Sequence, residues 1–133
     1  MTIKKYYNLA KIKLFPITRS LTGNGVRKSL SIIQKEFSKL KIKKFKSGTK
    51  VFDWNIPEEW NVSEAYVIDK YNKKIIDFKE NNLHLVGYST PIKKSITKKE
   101  LFKNLYYLKN QPKAIPYITS YYKKRWGFCI SYN

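Results

Sequence analysis

A change of hydrophobic period near Leu40 constrains this chain more than any other feature. Before it, apolar residues recur at helical spacing. Tyr6 or Tyr7, Ala10, Leu14 and Phe15 mark a first helix that Pro16 ends. Val26, Leu30, Ile33 and Phe37 fall at i, i+4, i+7 and i+11 and mark one face of a second helix. Between them lies "RSLTGNG", a loop of turn-forming residues, with Asn24 the expected N-cap. After Leu40 the pattern becomes short and alternating. Leu40 and Ile42 alternate with lysines, a turn is expected at Ser47-Gly48, and Val51, Phe52 and Trp54 mark a second strand closed by Pro57. "SEAYVID" and "KKIIDF" read as two further strands joined by a hairpin turn at "KYNK". "NNLHLVGYS" reads as a strand or an extended segment.

Thr97 and Glu100 match a capping box, and the helix behind them carries Leu101, Leu105 and Leu108 on one face. "YITSYY" and "RWGFCIS" read as extended. The order is helix, helix, short strands, helix, strands, which is α+β. There is no internal repeat, and the shift at Leu40 marks a subdomain boundary.

The chain has 133 residues, enough for one domain with a modest core. Its formal charge of +19 invites an anionic partner. Of the 28 basic residues, however, only Arg19, Arg27 and Arg125 are arginines, the type suited to bidentate phosphate and guanine contacts. Lys, Ile, Tyr, Asn and Phe make up about half of the chain, and all five are encoded by AT-rich codons. Nucleotide composition is therefore a sufficient source of much of the charge.

Cys129 is the only cysteine, so no internal disulfide and no cysteine-based zinc site can form, and a reducing, cytoplasmic setting is expected. The first twenty residues lack a secretory signal, and no apolar run reaches the length of a membrane span.

The candidate sites are few. His84 is the only histidine, and a zinc site from His and carboxylates needs at least three ligands. Nothing fixes Asp53, Asp69 or Asp77 near it, so His84 reads as structural. The same scarcity disfavours Ser-His-Asp and Cys-His catalysis. Cys129, between Phe128 and Ile130, reads as a buried apolar residue. "TGNG" lacks the glycine spacing and preceding parallel strand of a phosphate loop, so a plain loop-to-helix junction is expected. Arg19 beside it is either a loop anchor or a ligand contact. Phe52, Trp54, Trp60 and Tyr66 could form a stacking platform for bases, but the core of a small β subdomain is the preferred reading.

Four phrases resemble one family: "LFPITRSLTGNGVRKSL", "SGTKVFDWNIPEEWNVSEAYVID", "IIDFKENNLHLVGYSTPI" and "QPKAIPYITSYYKKRWGFCIS". They are similar to the N-terminal portion of bacterial zinc aminopeptidase-like proteins associated with polysaccharide biosynthesis. In that family an α/β peptidase-like core is interrupted by a small β-rich domain of unknown function, and a winged-helix domain commonly follows.

The resemblance implies that residues 1–39 are helices of an incomplete core, 40–114 a β-rich inserted subdomain with one helix, and 115–133 the first strands re-entering the core. It implies metal-assisted amide hydrolysis with zinc in the complete family. The metal ligands are implied further downstream, so no zinc ligand and no catalytic residue is assigned in this chain. Arg19 and Arg125 flank the joins and are candidates for substrate-side or interdomain contacts. The implied partner is a missing C-terminal peptidase core, in the same or an adjacent reading frame. The implied substrate is peptide-like or glycan-linked, with no membrane and no nucleic acid expected. On this reading the chain is inactive alone. The alternative is a free-standing basic module that binds nucleic acid or an acidic polysaccharide. A third reading is a structural fragment that folds poorly because its sheet edges lack partners.

Overall fold

The structure, a computed structural model, describes residues 2–133. Contacts group the chain into two units, Met1–Val62 and Ser63–Asn133. Helices and small sheets make the fold α+β, as the hydrophobic pattern predicts.

Unit 1 begins with α1, Ile3–Asn8, which runs on as a π-helical segment, Leu9–Leu14. The wider turn is visible in the Phe15 N–H, which donates to Ala10 O at 2.8 Å. The helix stops just before Pro16, which has no N–H to continue it. Helix α2, Asn24–Glu36, packs back on this first helix. Tyr6 stacks on Phe37 with ring centroids 5.7 Å apart, and Lys5 pairs with Glu36 at 2.6 Å. Leu9 is buried there.

Asn24 is not the N-cap. Gly23 takes that position at φ 95°, and Asn24 is the first helical residue. Its N–H donates to Asn61 Oδ1 at 2.7 Å, so the free end of α2 is satisfied by a side chain far along the sequence.

The first strand pair also departs from the expected phase. Strands β1, Lys50–Val51, and β2, Trp54–Asn55, pair antiparallel with Val51 opposite Trp54. The reversal is therefore at Phe52-Asp53, and Phe52 takes φ 52°. Ser47-Gly48 is a turn as well, closed by Thr49 N–H to Lys46 O at 3.2 Å, but it precedes the hairpin. Residues 40–46 form no strand. The alternation of Leu40 and Ile42 is too short to bury a face, and Phe45, out of phase with it, is exposed.

In unit 2, β3, Tyr66–Ile68, and β4, Lys74–Asp77, form the expected antiparallel hairpin, with an irregularity at Val67/Ile68. The Asp69 carboxylate accepts from the N–H groups of Tyr71 and Lys73 and shapes the connecting turn. A 3-10 turn, Asn82–His84, follows, capped by Asn81 Oδ1 accepting from Leu83 N–H at 3.0 Å.

Helix α3, Lys98–Lys103, is shorter than expected. Thr97 Oγ1 caps it by accepting from Glu100 N–H at 3.2 Å, but the Glu100 carboxylate pairs with Lys94 instead of closing the box. Asn104 ends the helix, and Leu105 belongs to β5, Leu105–Tyr106. Strand β5 pairs in parallel with β6, Phe128–Cys129. Pairing with β6 overrides the helical pattern at Leu105.

The core lies in this unit. Val86 and Cys129 are fully buried, and Ile76 and Phe128 nearly so. Phe128 is opposite Leu105 on one side and Leu85 on the other. The chain's last strand is thus flanked on both sides and is not an open edge. Hydrogen bonds from Gly87 N–H to Ile118 O, Phe128 N–H to Asn104 O and Ile130 N–H to Tyr106 O tie 115–133 to the residues before it. These non-local bonds join segments that look separate in sequence.

Candidate functional site

Arg19 and Arg125 sit in different units and are described separately.

Arg19 follows the bend after the first helix. Its Nη1 donates to Leu14 O at 2.6 Å, while the side chain stays exposed. That bond crosses the residues around Pro16, so Arg19 anchors the loop. It also borders a cavity of about 140 Å³ lined by Ser20, Asn24, Gly25, Trp60 and Asn61. The loop and α2 are closely packed here. A Cβ on Gly25 would lie 1.9 Å from Thr18 O, and one on Gly23 2.4 Å from Trp60 O. Ser20 Oγ is buried without a partner among the described residues. Arg27 donates to Asn24 Oδ1, at 2.9 Å, and to the carboxylate of Glu59. Sequence spacing could not reveal this cavity, because Trp60 and Asn61 come from beyond the β1–β2 hairpin.

Arg125 is half-buried in unit 2. Its Nη2 donates to Thr119 O at 2.9 Å, and its guanidinium lies over the Tyr106 ring at 5.6 Å. Nε is buried without a partner among the described residues. The group therefore clamps β5 to the 119–125 turn.

The remaining candidates are occupied by the fold. His84 Nδ1 is 2.8 Å from Cys129 O, as a structural histidine would be. Burial pushes the Cys129 thiol up to about 11, which keeps it protonated and unreactive near neutral pH. No group of three or more His, Cys, Asp or Glu comes together among the described residues. A zinc ion needs such a set, so the donors among the described residues do not fit one. The aromatic set is not a core either. Phe52 is 92% exposed and Trp54 half-exposed at the hairpin tip. No helix among the described residues is long and apolar enough to cross a membrane.

With the geometry fixed, the chain can be compared with known proteins. Residues 59–133 match a family model described as a domain of unknown function, DUF2172. The matched span contains all of unit 2, including β6. A Clostridium acetobutylicum protein designated a candidate polysaccharide biosynthesis protein with an aminopeptidase-like domain is 53% identical over 127 residues, covering 96% of this chain. The chain spans 29% of that relative's length. The crystal structure of a candidate peptidase from the same organism, at 2.37 Å resolution, superposes with a TM-score of 0.91 at 51% identity. That match covers 97% of this chain and 30% of the solved one. Its family model matched over more than half its length, and nearly its whole extent similar to part of a protein with an aminopeptidase-like domain, this chain belongs to the DUF2172 family.

Proposed function

We propose that the chain is the N-terminal, non-catalytic part of a zinc aminopeptidase-like hydrolase that acts in polysaccharide biosynthesis. The identity of 53% across nearly the whole chain, against 29% coverage of the relative, carries this reading. The chemistry proposed for the complete protein is metal-assisted hydrolysis of an amide in a peptide-like or glycan-linked substrate, in the cytoplasm. Its metal would be held by residues outside this sequence, because the donors here do not fit one.

In this reading residues 1–39 supply helices of the hydrolase core, and the β-rich part is the insert. The hydrogen bonds of 115–133 within unit 2, and their inclusion in the family match, support placing those residues with the insert. Arg19, exposed beside a cavity, is the candidate for a substrate-side contact. Arg125, clamped between Thr119 and Tyr106, is the candidate for an interdomain or structural one.

The test compares this chain with the full-length Clostridium acetobutylicum relative, both with zinc supplied, on a panel of aminoacyl and peptidyl amides. Turnover by the relative and none by this chain is the expected result. Chelator-sensitive turnover by this chain alone would overturn the proposal, as would an inert relative. A second reading, a basic binding module, draws on the charge of +19. Filter binding to RNA and to an acidic polysaccharide at two salt concentrations decides it. Binding that persists at physiological salt favours the module; binding that salt abolishes leaves only a basic surface.

A further inference from the structure

The cavity beside Arg19 has a one-sided hydrogen-bonding inventory. It lies within unit 1 and measures about 140 Å³, more room than a single water needs. Arg19, Ser20, Asn24 and Asn61 are among the residues that line it. The amide oxygens of the two asparagines are already engaged. Asn61 Oδ1 accepts the Asn24 N–H at 2.7 Å, and Asn24 Oδ1 accepts from Arg27 Nη1 at 2.9 Å. A backbone N–H and a guanidinium can only donate, so these two bonds fix which way both amides point. What each amide has left is its Nδ2 group, a donor, and neither Nδ2 has a partner among the described residues.

Arg19 adds to the same side of the inventory. Its Nη1 is given to Leu14 O at 2.6 Å, which leaves the Nε–Nη2 edge without a partner among the described residues. Ser20 Oγ is buried and unpartnered as well. Arg19, Asn24 and Asn61 are exposed, so a ligand can reach them from solvent. No carboxylate lines the cavity, and Glu59, close by in sequence, is paired with Arg27. The start of α2 is not what makes the site, since its first N–H is already taken by Asn61. The cavity offers donors and one permanent cation, and it lacks an acceptor.

We infer that this cavity binds a carboxylate group. The planar Nε–Nη2 edge of a guanidinium matches both carboxylate oxygens through two parallel N–H···O bonds. A carboxylate has about four lone-pair sites, so the asparagine Nδ2 groups and the Ser20 hydroxyl have acceptors to meet. Charge favours it over phosphate. Arg19 is the one cation of the lining and balances one negative charge, whereas a phosphate monoester carries about two at neutral pH. Such a carboxylate has two sources: the substrate of the complete hydrolase, or another part of the same longer protein, of which this chain spans 29% in the relative. The inference deepens the reading of Arg19 as a substrate-side contact and rests on that reading only for the source.

The test titrates N-acetylglycine into this chain and follows amide signals by NMR. N-acetylglycinamide, the same molecule without the carboxylate, is the control. Saturable shifts of the Asn24 and Asn61 side-chain amide signals with the acid, and none with the amide, are the expected result. Arg19→Gln and Asn61→Asp should each weaken binding by about tenfold or more. Asn61→Asp keeps an oxygen for the Asn24 N–H and replaces only the donor, so the start of α2 is retained. Ser20→Ala removes a hydroxyl with no protein partner to lose. It should leave the thermal melt unchanged and weaken binding by a smaller factor. Equal shifts with both compounds, no shifts at all, or binding untouched by Arg19→Gln and Ser20→Ala would each overturn the site. Inorganic phosphate that displaces N-acetylglycine at equal or lower concentration would overturn its assignment to a carboxylate.

The Clostridium acetobutylicum relative then separates the sources. If its counterpart of Arg19→Gln raises KM for peptides with a free terminal carboxylate more than for their carboxamides, the substrate supplies the group. If this chain binds N-acetylglycine and the relative does not in equilibrium dialysis, the longer protein supplies its own. Either result keeps the site. Binding by this chain beside an inert relative would sink the hydrolase reading and keep the site; no binding beside an active relative would do the reverse.

Discussion

Asp77 shows what a single charge contributes in a chain so rich in lysine. It is buried at the end of β4. Lys74 donates to its carboxylate at 2.6 Å and the Lys79 N–H at 3.0 Å, and these bonds, the ammonium first, hold the carboxyl below the usual carboxylate range. The folded value lies below the unfolded one. Its stabilisation is therefore complete above the unfolded pKa, near 4, and is lost as pH falls through the depressed folded value. The same bond raises Lys74, whose contribution is complete below its ordinary value and is lost only in strong alkali. Unfolding followed across acid pH should show a falling limb, shared with Glu36, that Asp77→Asn makes shallower; an unchanged limb would mean that other carboxylates set it. Gly25 makes a steric point at the same scale. Its Cβ would have to displace the Thr18 carbonyl, so Gly25→Ala should cost roughly 1–3 kcal/mol in a thermal melt. A neutral Gly25→Ala would show that the loop yields. Neither role could be read from "TGNG" or "IIDF" alone, because the partners Thr18 and Lys79 acquire their positions only in the fold.

The elements were legible where period and turn chemistry agree, and were missed where tertiary contacts override them. Helix α2 and the β3–β4 hairpin follow the apolar spacing of Val26, Leu30 and Ile33 and of "SEAYVID" and "KKIIDF". Helix α3 ends early because Leu105 pairs with Phe128, a partner that no local pattern announces. The β1–β2 hairpin reverses at Phe52-Asp53 although Ser47-Gly48 is the better turn sequence, since Gly48 N–H and Ile56 O bond across it at 2.8 Å and fix the register. That register puts a phenylalanine in a left-handed conformation with its ring in solvent. Bulky side chains avoid that region and asparagine tolerates it. Phe52→Asn should therefore raise stability by about 1 kcal/mol, seen as a higher denaturant midpoint. A loss of stability instead would mean that the ring has packing which its exposure conceals. The candidate sites follow the same division. Arg19 and Arg125 stood out because arginine is rare here, but the cavity beside one and the Tyr106 face beneath the other depend on non-local pairing.

At the scale of the molecule, stability should be unevenly divided. Among the described residues, the four buried apolar side chains other than Leu9, namely Ile76, Val86, Phe128 and Cys129, lie in unit 2. Three segments distant in sequence meet there: Leu85 and Leu105 flank Phe128, and Gly87 pairs with Thr119. Opening that centre breaks several bonds at once. Unit 1 has the contacts of α2 with the first helix, the bonds that tie Glu59 and Asn61 to α2 and a minimal hairpin, with exposed lysine-rich residues 41–46 between α2 and the hairpin. Amides with few buried neighbours open locally at low cost, whereas those in a shared core exchange only through larger openings. Native-state hydrogen exchange on this chain should accordingly find Val86, Gly87, Phe128 and Ile130 among the slowest amides and those of α1 far faster. Trypsin should nick the 41–46 segment first and leave unit 2 longest. If α1 instead exchanges as slowly as Phe128, the helical layer is as stable as the centre of unit 2 and stability is not unevenly divided.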